Sequence, residues 1–250
     1  MFTLGAYGQS IDLAGVLQNI NAVQDQHLTT QGVDLRVPSA YPFLIGQAAV
    51  CGNTTPSRAQ IASPSLRAMM NLDVEPVVGA LVFGSPPESI LHADSPIPLK
   101  PDESLNFLMQ ATGGAATQNY GLVWLSDGVL QPVKGPIFSV RATTAITLAA
   151  DTWVNGNLTF AQTLPAGRYQ VVGMRARGTN LVAARLVFVG GSTRPGVPAV
   201  NALGDLDPMG FRYGYAGVFG EFDHTQPPTV DALGVTDAAQ TYILDLVKVK

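Results

Sequence analysis

The sequence predicts an all-β fold that is preceded by an N-terminal arm containing one helix. Short apolar segments separated by turn residues recur from about residue 95 onward, which is typical of β-strands. Prolines break the first 94 residues into short pieces, and apolar residues there show a helical spacing only once. We therefore expect an arm over residues 1–94 and a β-sandwich over residues 95–250.

One amphipathic helix is predicted over residues 11–28, with Ser10 as its N-cap. Its apolar stripe consists of Leu13, Val16, Leu17, Ile20, Val23, His27 and Leu28. The other face carries uncharged polar groups, so such a helix is expected to pack on a partner surface. After it, the proline-rich chain is expected to run as an extended arm that docks at intervals.

Eight strands are predicted in residues 95–250. They are Ser104–Ala111, Tyr120–Ser126, Ile137–Ala142, Asn157–Gln162, Arg168–Arg177, Leu181–Val189, Arg212–Phe222 and Thr241–Val249. This number of short strands fits a jelly-roll-type antiparallel β-sandwich of eight strands. A double jelly roll is a fold-level alternative, but residues 1–94 hold too few predicted strands to favour it.

Charge is scarce in this chain, and its distribution excludes several classes of function. Only 13% of the residues are charged and the net charge is -4, whereas soluble domains are roughly 25% charged. Without clustered lysines and arginines, no nucleic-acid interface is expected. The scarcity of charge instead favours a surface that is covered by other copies of the same chain.

No motif indicates a catalytic centre or a zinc site. The three histidines lie in unlike contexts, there is no Gly-x-Ser-x-Gly elbow, and the single cysteine is Cys51. We predict no enzymatic activity, and we interpret Cys51 as a small buried hydrophobic residue. Residues 1–4 lack a basic, signal-peptide-like start, and the apolar run Val77–Phe83 is too short for a membrane span. No transmembrane segment is predicted.

Acidic residues near the C-terminal end form the one candidate for a cation or ligand loop. They are Asp205, Asp207, Glu221 and Asp223. Carboxylate oxygens suit Ca²⁺, although the spacing is not that of an EF-hand, and turn capping is the alternative. No other cofactor is predicted. Because Glu221 and Asp223 alternate in a strand that follows Tyr213 and Tyr215, a carbohydrate-binding face is a second interpretation.

The arm, the predicted sandwich and the predicted hairpin segment together resemble the single jelly-roll capsid proteins of icosahedral viruses, including tailless phages; that segment is Leu164-Pro165-Ala166-Gly167-Arg168-Tyr169-Gln170-Val171-Val172-Gly173-Met174-Arg175-Ala176. The resemblance implies a structural shell subunit that is made in the host cytoplasm and resides in the virion. It implies assembly into trimers or larger shells, with other virion proteins as further partners. The absence of a basic arm departs from many such proteins and argues against direct genome binding.

The predicted subunit interface follows from this resemblance and from the apolar segments. Its candidate residues are Leu13, Leu17, Ile20, Phe43, Ile45, Arg194, Pro195 and Phe211. The alternative function is a carbohydrate- or receptor-binding module of a fibre or spike, which would use the acidic strand and its tyrosines.

Overall fold

The structure, a computed structural model, describes residues 1–52, 56–78, 88–112, 116–200, 209–236 and 238–249. The described residues form β-strands almost throughout, with one short helix α1 (Pro64–Arg67) and one 3-10 turn (Met209–Phe211). No helix within these ranges has the length and apolarity needed to cross a membrane. The all-β prediction is confirmed at this level.

The strands of the first half of the chain run as follows: β1 (Phe2–Ile11), β2 (Gln18–Ile20), β3 (Thr30–Gln31), β4 (Asp34–Arg36), β5 (Phe43–Cys51), β6 (Pro56–Ala62), β7 (Leu72–Val74), β8 (Val77–Val78), β9 (Glu88–Leu91), β10 (Ile97–Pro98), β11 (Ser104–Ala111) and β12 (Thr117–Ser126). Those of the second half are β13 (Phe138–Thr144), β14 (Val154–Asn157), β15 (Thr159–Phe160), β16 (Arg168–Arg177), β17 (Leu181–Val187), β18 (Gly196–Val200), β19 (Gly220–Asp223), β20 (Thr229–Gly234) and β21 (Gln240–Lys248).

Two mainly antiparallel sheets make up the first half. In the first, β12 lies between β1 and β5, and β8, β9 and β10 all pair with the other edge of β5. In the second, β11 lies between β6 and the pair β2 and β4, with β7 and β3 at the outer edges. The strand β11 alternates strictly, and its Leu105, Phe107, Met109 and Ala111 face the core.

One continuous nine-stranded sheet makes up the second half and folds over at β18. One part has the order β13-β21-β16-β19, and the other has the order β14-β20-β17-β18. The strand β18 joins the two parts because it pairs antiparallel with β17 and parallel with the end of β16, at Ala176 and Arg177. The short strand β15 extends the first part beyond β13.

The sheet of β1, β5 and β12 is the central layer of the molecule and is buried on both faces. On one face Val123 and Leu125 belong to the core shared with Phe107 and the second sheet. On the other face Leu122 and Trp124 belong to the core shared with the second half. Strands that are buried on both faces lose the apolar–polar alternation of a half-exposed strand, which is why β12 reads as a continuous apolar run.

The indole of Trp124 connects the two halves directly. Its Nε1 donates a hydrogen bond to the carbonyl oxygen of Gly196 at 2.8 Å, and its ring centroid lies 5.1 Å from that of Phe211. Trp124 is fully buried. A buried indole N–H needs a hydrogen-bond acceptor, and the carbonyl oxygen of Gly196 provides it.

Gly121 is required where the central sheet meets the phenyl ring of Phe107. A Cβ at this position would lie 2.6 Å from two atoms of that ring. We expect Gly121→Ala to destabilise the protein by about 1–3 kcal/mol, as overpacking of a tight core does, measured by urea unfolding. Combining it with Phe107→Leu should cost less than the sum of the two single changes. Additive losses would contradict this packing.

The predicted helix over residues 11–28 is wrong. This segment runs extended along sheet edges: Ile20 in β2 pairs with Phe107, and isolated bridges join Ala14 to Ala111 and Ala22 to Tyr7. Its apolar residues are nevertheless largely buried, so the helical spacing reflected burial by neighbouring sheets and not a helix. Gly15, with a φ of 75°, also departs from helical geometry.

The predicted boundary near residue 95 does not separate two units in the structure. The strands β11 and β12 follow this boundary, yet they pair with β6 and β1, which precede it. The described residues before position 95 therefore do not form a separate extended arm, because their strands lie in the same sheets as β11 and β12.

Most strands predicted after residue 95 are confirmed, and one is wrong over most of its length. The bounds of β11 and β16 match the prediction, and β12, β13, β17 and β21 differ from it by a few residues. The predicted strand Arg212–Phe222 is instead a compact loop that enters a strand only at Gly220. Tyr213 and two glycines within this loop adopt positive φ angles, which interrupt an extended strand.

Candidate functional site

A cavity of about 530 Å³ opens where the first and second halves of the chain meet. We call it the seam cavity. Asp25 and His27 approach it from the first half, and Trp153, Arg185 and Asp231 from the second. An isolated bridge between Gln24 and Thr152 ties the two contributing loops together.

Arg185 on β17 forms the floor of the seam cavity and is held by both halves. Its Nε donates to Asp231 Oδ2 at 3.0 Å, and its Nη1 donates to the carbonyl oxygen of Leu4 at 3.2 Å and to Asp25 Oδ2. Its side chain is 3% exposed and that of Asp25 is 1% exposed. One buried guanidinium thus pairs with two carboxylates, which provides each of them with the partner that a buried charge requires and leaves one negative charge in excess.

Asp25 is positioned by the turn in which it lies. Its Oδ1 accepts hydrogen bonds from the backbone N–H of His27 at 2.7 Å and of Leu28 at 3.2 Å. This side-chain-to-backbone pattern is typical of Asp in tight turns. The turn therefore directs the carboxylate towards Arg185 in the other half of the chain.

Trp153 forms one wall of the seam cavity. The guanidinium carbon of Arg185 lies 4.1 Å from the centroid of its ring, a cation–π contact. The indole Nε1 is buried and has no hydrogen-bond acceptor among the described residues. Asn155 lies opposite Asp231 on the neighbouring strand. Its side-chain amide donates to Asp231 Oδ1 at 2.8 Å and so holds the carboxylate oxygen that does not accept from Arg185.

The pKa values of two titratable groups at the rim of the cavity are shifted. Burial, together with the charge of Arg194, lowers the pKa of His27 below its ordinary value, so its imidazole is neutral at neutral pH. Burial also raises the pKa of Asp151, although a hydrogen bond from Gln118 opposes this. The rim therefore combines the neutral imidazole of His27 with the carboxyl group of Asp151 and the guanidinium of Arg194.

A second buried charge pair lies outside the cavity, between the loop at 211–219 and β21. Arg212 donates from Nε to Asp245 Oδ2 at 2.7 Å and from Nη2 to Oδ1 at 3.0 Å. Asp245 also accepts from Ser139 Oγ at 2.6 Å and from the backbone N–H of Tyr213 at 3.0 Å. This cluster fastens the loop to the sheet, and Gly173 leaves the room it needs beside β16.

The predicted interface residues are mostly core residues of the chain itself. Leu13, Ile20, Ile45 and Phe211 are buried in the described structure, as is Pro195, so they have no surface to offer to a second copy. The structure thereby corrects the interface prediction for these five residues.

The remaining three predicted interface residues are half-buried. Leu17 lies at the start of the segment leading into β2, and the ring of Phe43 lies under Gly128. Arg194 donates from Nη1 to the carbonyl oxygens of Gly191 and Thr193, each at 3.0 Å, and lines the seam cavity. The interface prediction for these three stays untested.

The predicted acidic cation loop is described only in part. Asp205 and Asp207 lie outside the described residues. Glu221 accepts from Arg168 at 2.9 Å and from Gln170 at 2.7 Å, whereas Asp223 caps a turn through the N–H of Thr225 at 3.0 Å. Within the described ranges no three His, Cys, Asp or Glu side chains are grouped to hold a metal ion.

The residues of the seam cavity were not predicted as a site from the sequence. Asp25, Trp153, Arg185 and Asp231 are far apart in the chain, and no spacing connects them. The available signal was the isolated arginine within the apolar strand Leu181–Val187, because a buried arginine requires acidic partners. That signal indicates an ion pair without naming its partners.

No model of a known protein family matches this chain, and no curated protein matches it significantly.

Proposed function

We propose that this protein is a structural subunit of a virion shell, built from two consecutive jelly rolls, which assembles with copies of itself. The observation that supports two jelly rolls is a strand order that occurs twice among the described strands. In the first half, the short strands β2–β4 are counted together as one strand, and so are β8–β10. The described residues of this half then provide eight strands in chain order. Numbered in chain order, the two sheets have the orders 1-8-3-6 and 2-7-4-5.

The second half repeats this order. With β15 set aside as an edge extension, its strands are β13, β14, β16, β17, β18, β19, β20 and β21. The two parts of the sheet again have the orders 1-8-3-6 and 2-7-4-5. Eight strands in two interleaved four-stranded sheets are the topology of a jelly roll, which occurs in viral capsid proteins, lectins and cupins.

Topology alone does not distinguish these functions, so the charge and apolarity of the surface must distinguish them. With 13% charged residues, the chain has little surface charge to prevent its copies from associating. Large apolar side chains are exposed on two adjoining segments: Val129 is 60% and Tyr215 66% exposed, and Leu130 and Tyr213 are also open. We call these four residues the apolar patch.

The two segments of the apolar patch lie against each other. Leu130 Cδ1 is 3.1 Å from the Cβ position at Gly217, and Val133 packs beside Gly214. Aromatic and large aliphatic side chains at a surface are typical of the centre of a protein–protein interface. We propose that a second copy of this chain covers the patch, and that closed symmetry follows from repeating the contact.

The double variant Val129→Asp with Leu130→Asp tests this proposal. We expect it to fold with an unchanged melting temperature and to remain a 26.2 kDa monomer under conditions in which the wild type assembles. The measurement is multi-angle light scattering. The matched control is Met70→Asp with Val189→Asp, which changes two even more exposed apolar residues elsewhere and should still assemble.

Two outcomes would overturn the shell proposal in this form. The first is a wild type that stays monomeric at high concentration. The second is assembly of the patch variant at the same yield as the control variant.

A further inference from the structure

We propose that the seam cavity binds a neutral glycan, as a mono- or disaccharide unit. This inference goes beyond the shell proposal and does not depend on it, because the cavity lies within one chain. Its volume of about 530 Å³ falls within the range of roughly 300–1,000 Å³ that small-molecule sites occupy.

The distribution of charge in the cavity favours an uncharged ligand. At the floor, Arg185 faces two carboxylates, Asp25 and Asp231, so one negative charge is left there, and the guanidinium of Arg194 at the rim offsets it. At the rim, an anionic ligand would meet the carboxyl group of Asp151, and a cationic ligand would meet the guanidinium of Arg194. A neutral ligand avoids both repulsions.

The lining also supplies donors and acceptors in the mixture that hydroxyl groups require. The side-chain amides of Gln24 and Gln26 both donate and accept, as does the neutral imidazole of His27. The hydroxyl of Thr152 and the amide of Asn155 already donate within the protein, so they offer a ligand their acceptor oxygens. A sugar hydroxyl likewise donates one hydrogen bond and accepts others. Such a lining distinguishes a polyhydroxyl ligand from an apolar one, which would leave these groups unsatisfied.

The indole of Trp153 provides the apolar surface that the C–H face of a sugar ring needs. Arg185 and the neighbouring core hold the ring in place, so little ordering of the side chain is required on binding. The indole Nε1 is buried, so this wall offers a ligand the ring and not the N–H.

The test is an array of neutral and sialylated glycans probed with the purified full-length protein, followed by calorimetry with the neutral glycan that binds best. We expect Gln26→Leu combined with Thr152→Val to weaken binding about tenfold, because two hydrogen bonds are lost. Both residues are exposed at the rim, so the variant should keep the wild-type melting temperature. The matched control is Gln162→Leu, exposed outside the cavity, which should bind as the wild type does.

Three results would overturn the inference: no neutral glycan bound above background, a preference for sialylated over neutral glycans, or equal affinities for the cavity variant and the control. None of these results bears on assembly, so the two proposals fail separately.

Discussion

Replacing Arg185 by alanine is expected to destabilise the protein by about 3–5 kcal/mol, because it leaves two buried carboxylates without their counter-ion. The side chains of Asp25 and Asp231 are 1% and 13% exposed, so each depends on the guanidinium for its charge-assisted hydrogen bond. The change also removes the hydrogen bond to the carbonyl oxygen of Leu4 and the cation–π contact with Trp153. Equilibrium unfolding in urea measures the loss.

The matched control for Arg185 is Arg168→Ala. Arg168 also forms an ion pair, with Glu221 at 2.9 Å, but both side chains are substantially exposed. Exposed pairs contribute about 0–1 kcal/mol, so the control should unfold close to the wild type. Similar losses for the two arginines would contradict the view that Arg185 fastens the two halves of the chain together.

Replacing Asp245 by alanine is expected to lower the free energy of unfolding by a similar amount, about 3–5 kcal/mol, through contacts in a different part of the molecule. Asp245 is fully buried and accepts hydrogen bonds from Arg212, Ser139 and Tyr213, all of which lose their acceptor. Ser139→Ala, which removes one of these donors and leaves the ion pair intact, should cost only about 1 kcal/mol. Thermal or urea unfolding of the two variants at neutral pH checks the difference.

Asp245 also links stability to pH. Burial alone raises the pKa of its carboxyl group, but the hydrogen bonds from Arg212, Ser139 and Tyr213 outweigh burial and hold the pKa below its ordinary value. Its contribution to stability is therefore complete above the unfolded-state pKa of about 3.9 and is lost as the pH falls through the lower folded-state value. The wild type should lose more stability than Asp245→Ala below about pH 4. Parallel losses in the two proteins would contradict this linkage.

The strands that could be predicted are those whose own sequence shows which residues are buried and where the strand ends. The alternation in β11 and the extents of β16 and β17 were recognisable because turn residues bound these strands on both sides. The predicted hairpin is wrong, because β16 and β17 pair with other strands and not with each other. The first half was misread because most of its strands span four residues or fewer and prolines lie between several of them. Pairing with β11 and β12, which come much later in the chain, is what holds them in place.

The spacing of Leu13, Leu17 and Ile20 shows why periodicity alone misled. Leu13 and Ile20 are buried by a neighbouring sheet, and Leu17 is partly covered, so apolar residues fell at helical intervals in an extended segment. Intrinsic helix preference is weak compared with backbone pairing along a sheet edge. A resemblance to jelly-roll proteins was predicted from overall pattern, but residues 1–94 had not been counted as part of a sandwich.

The site could not be predicted for a related reason. The contacts of Arg185 with Leu4 and Asp25 join residues separated by about 180 and 160 positions. Such contacts depend on how the two halves dock, which no local pattern encodes. The acidic strand at Glu221 and Asp223 attracted notice because its residues are close in sequence, yet in the structure these two carboxylates serve a surface ion pair and a turn.

The mass of the purified wild-type protein in solution, with electron microscopy of its largest species, tests the central claim most directly. The account predicts trimers or larger closed assemblies whose masses are multiples of 26.2 kDa. A monodisperse 26.2 kDa monomer at high concentration would contradict it. In that case the low charge of the chain and its exposed apolar patch would need another explanation.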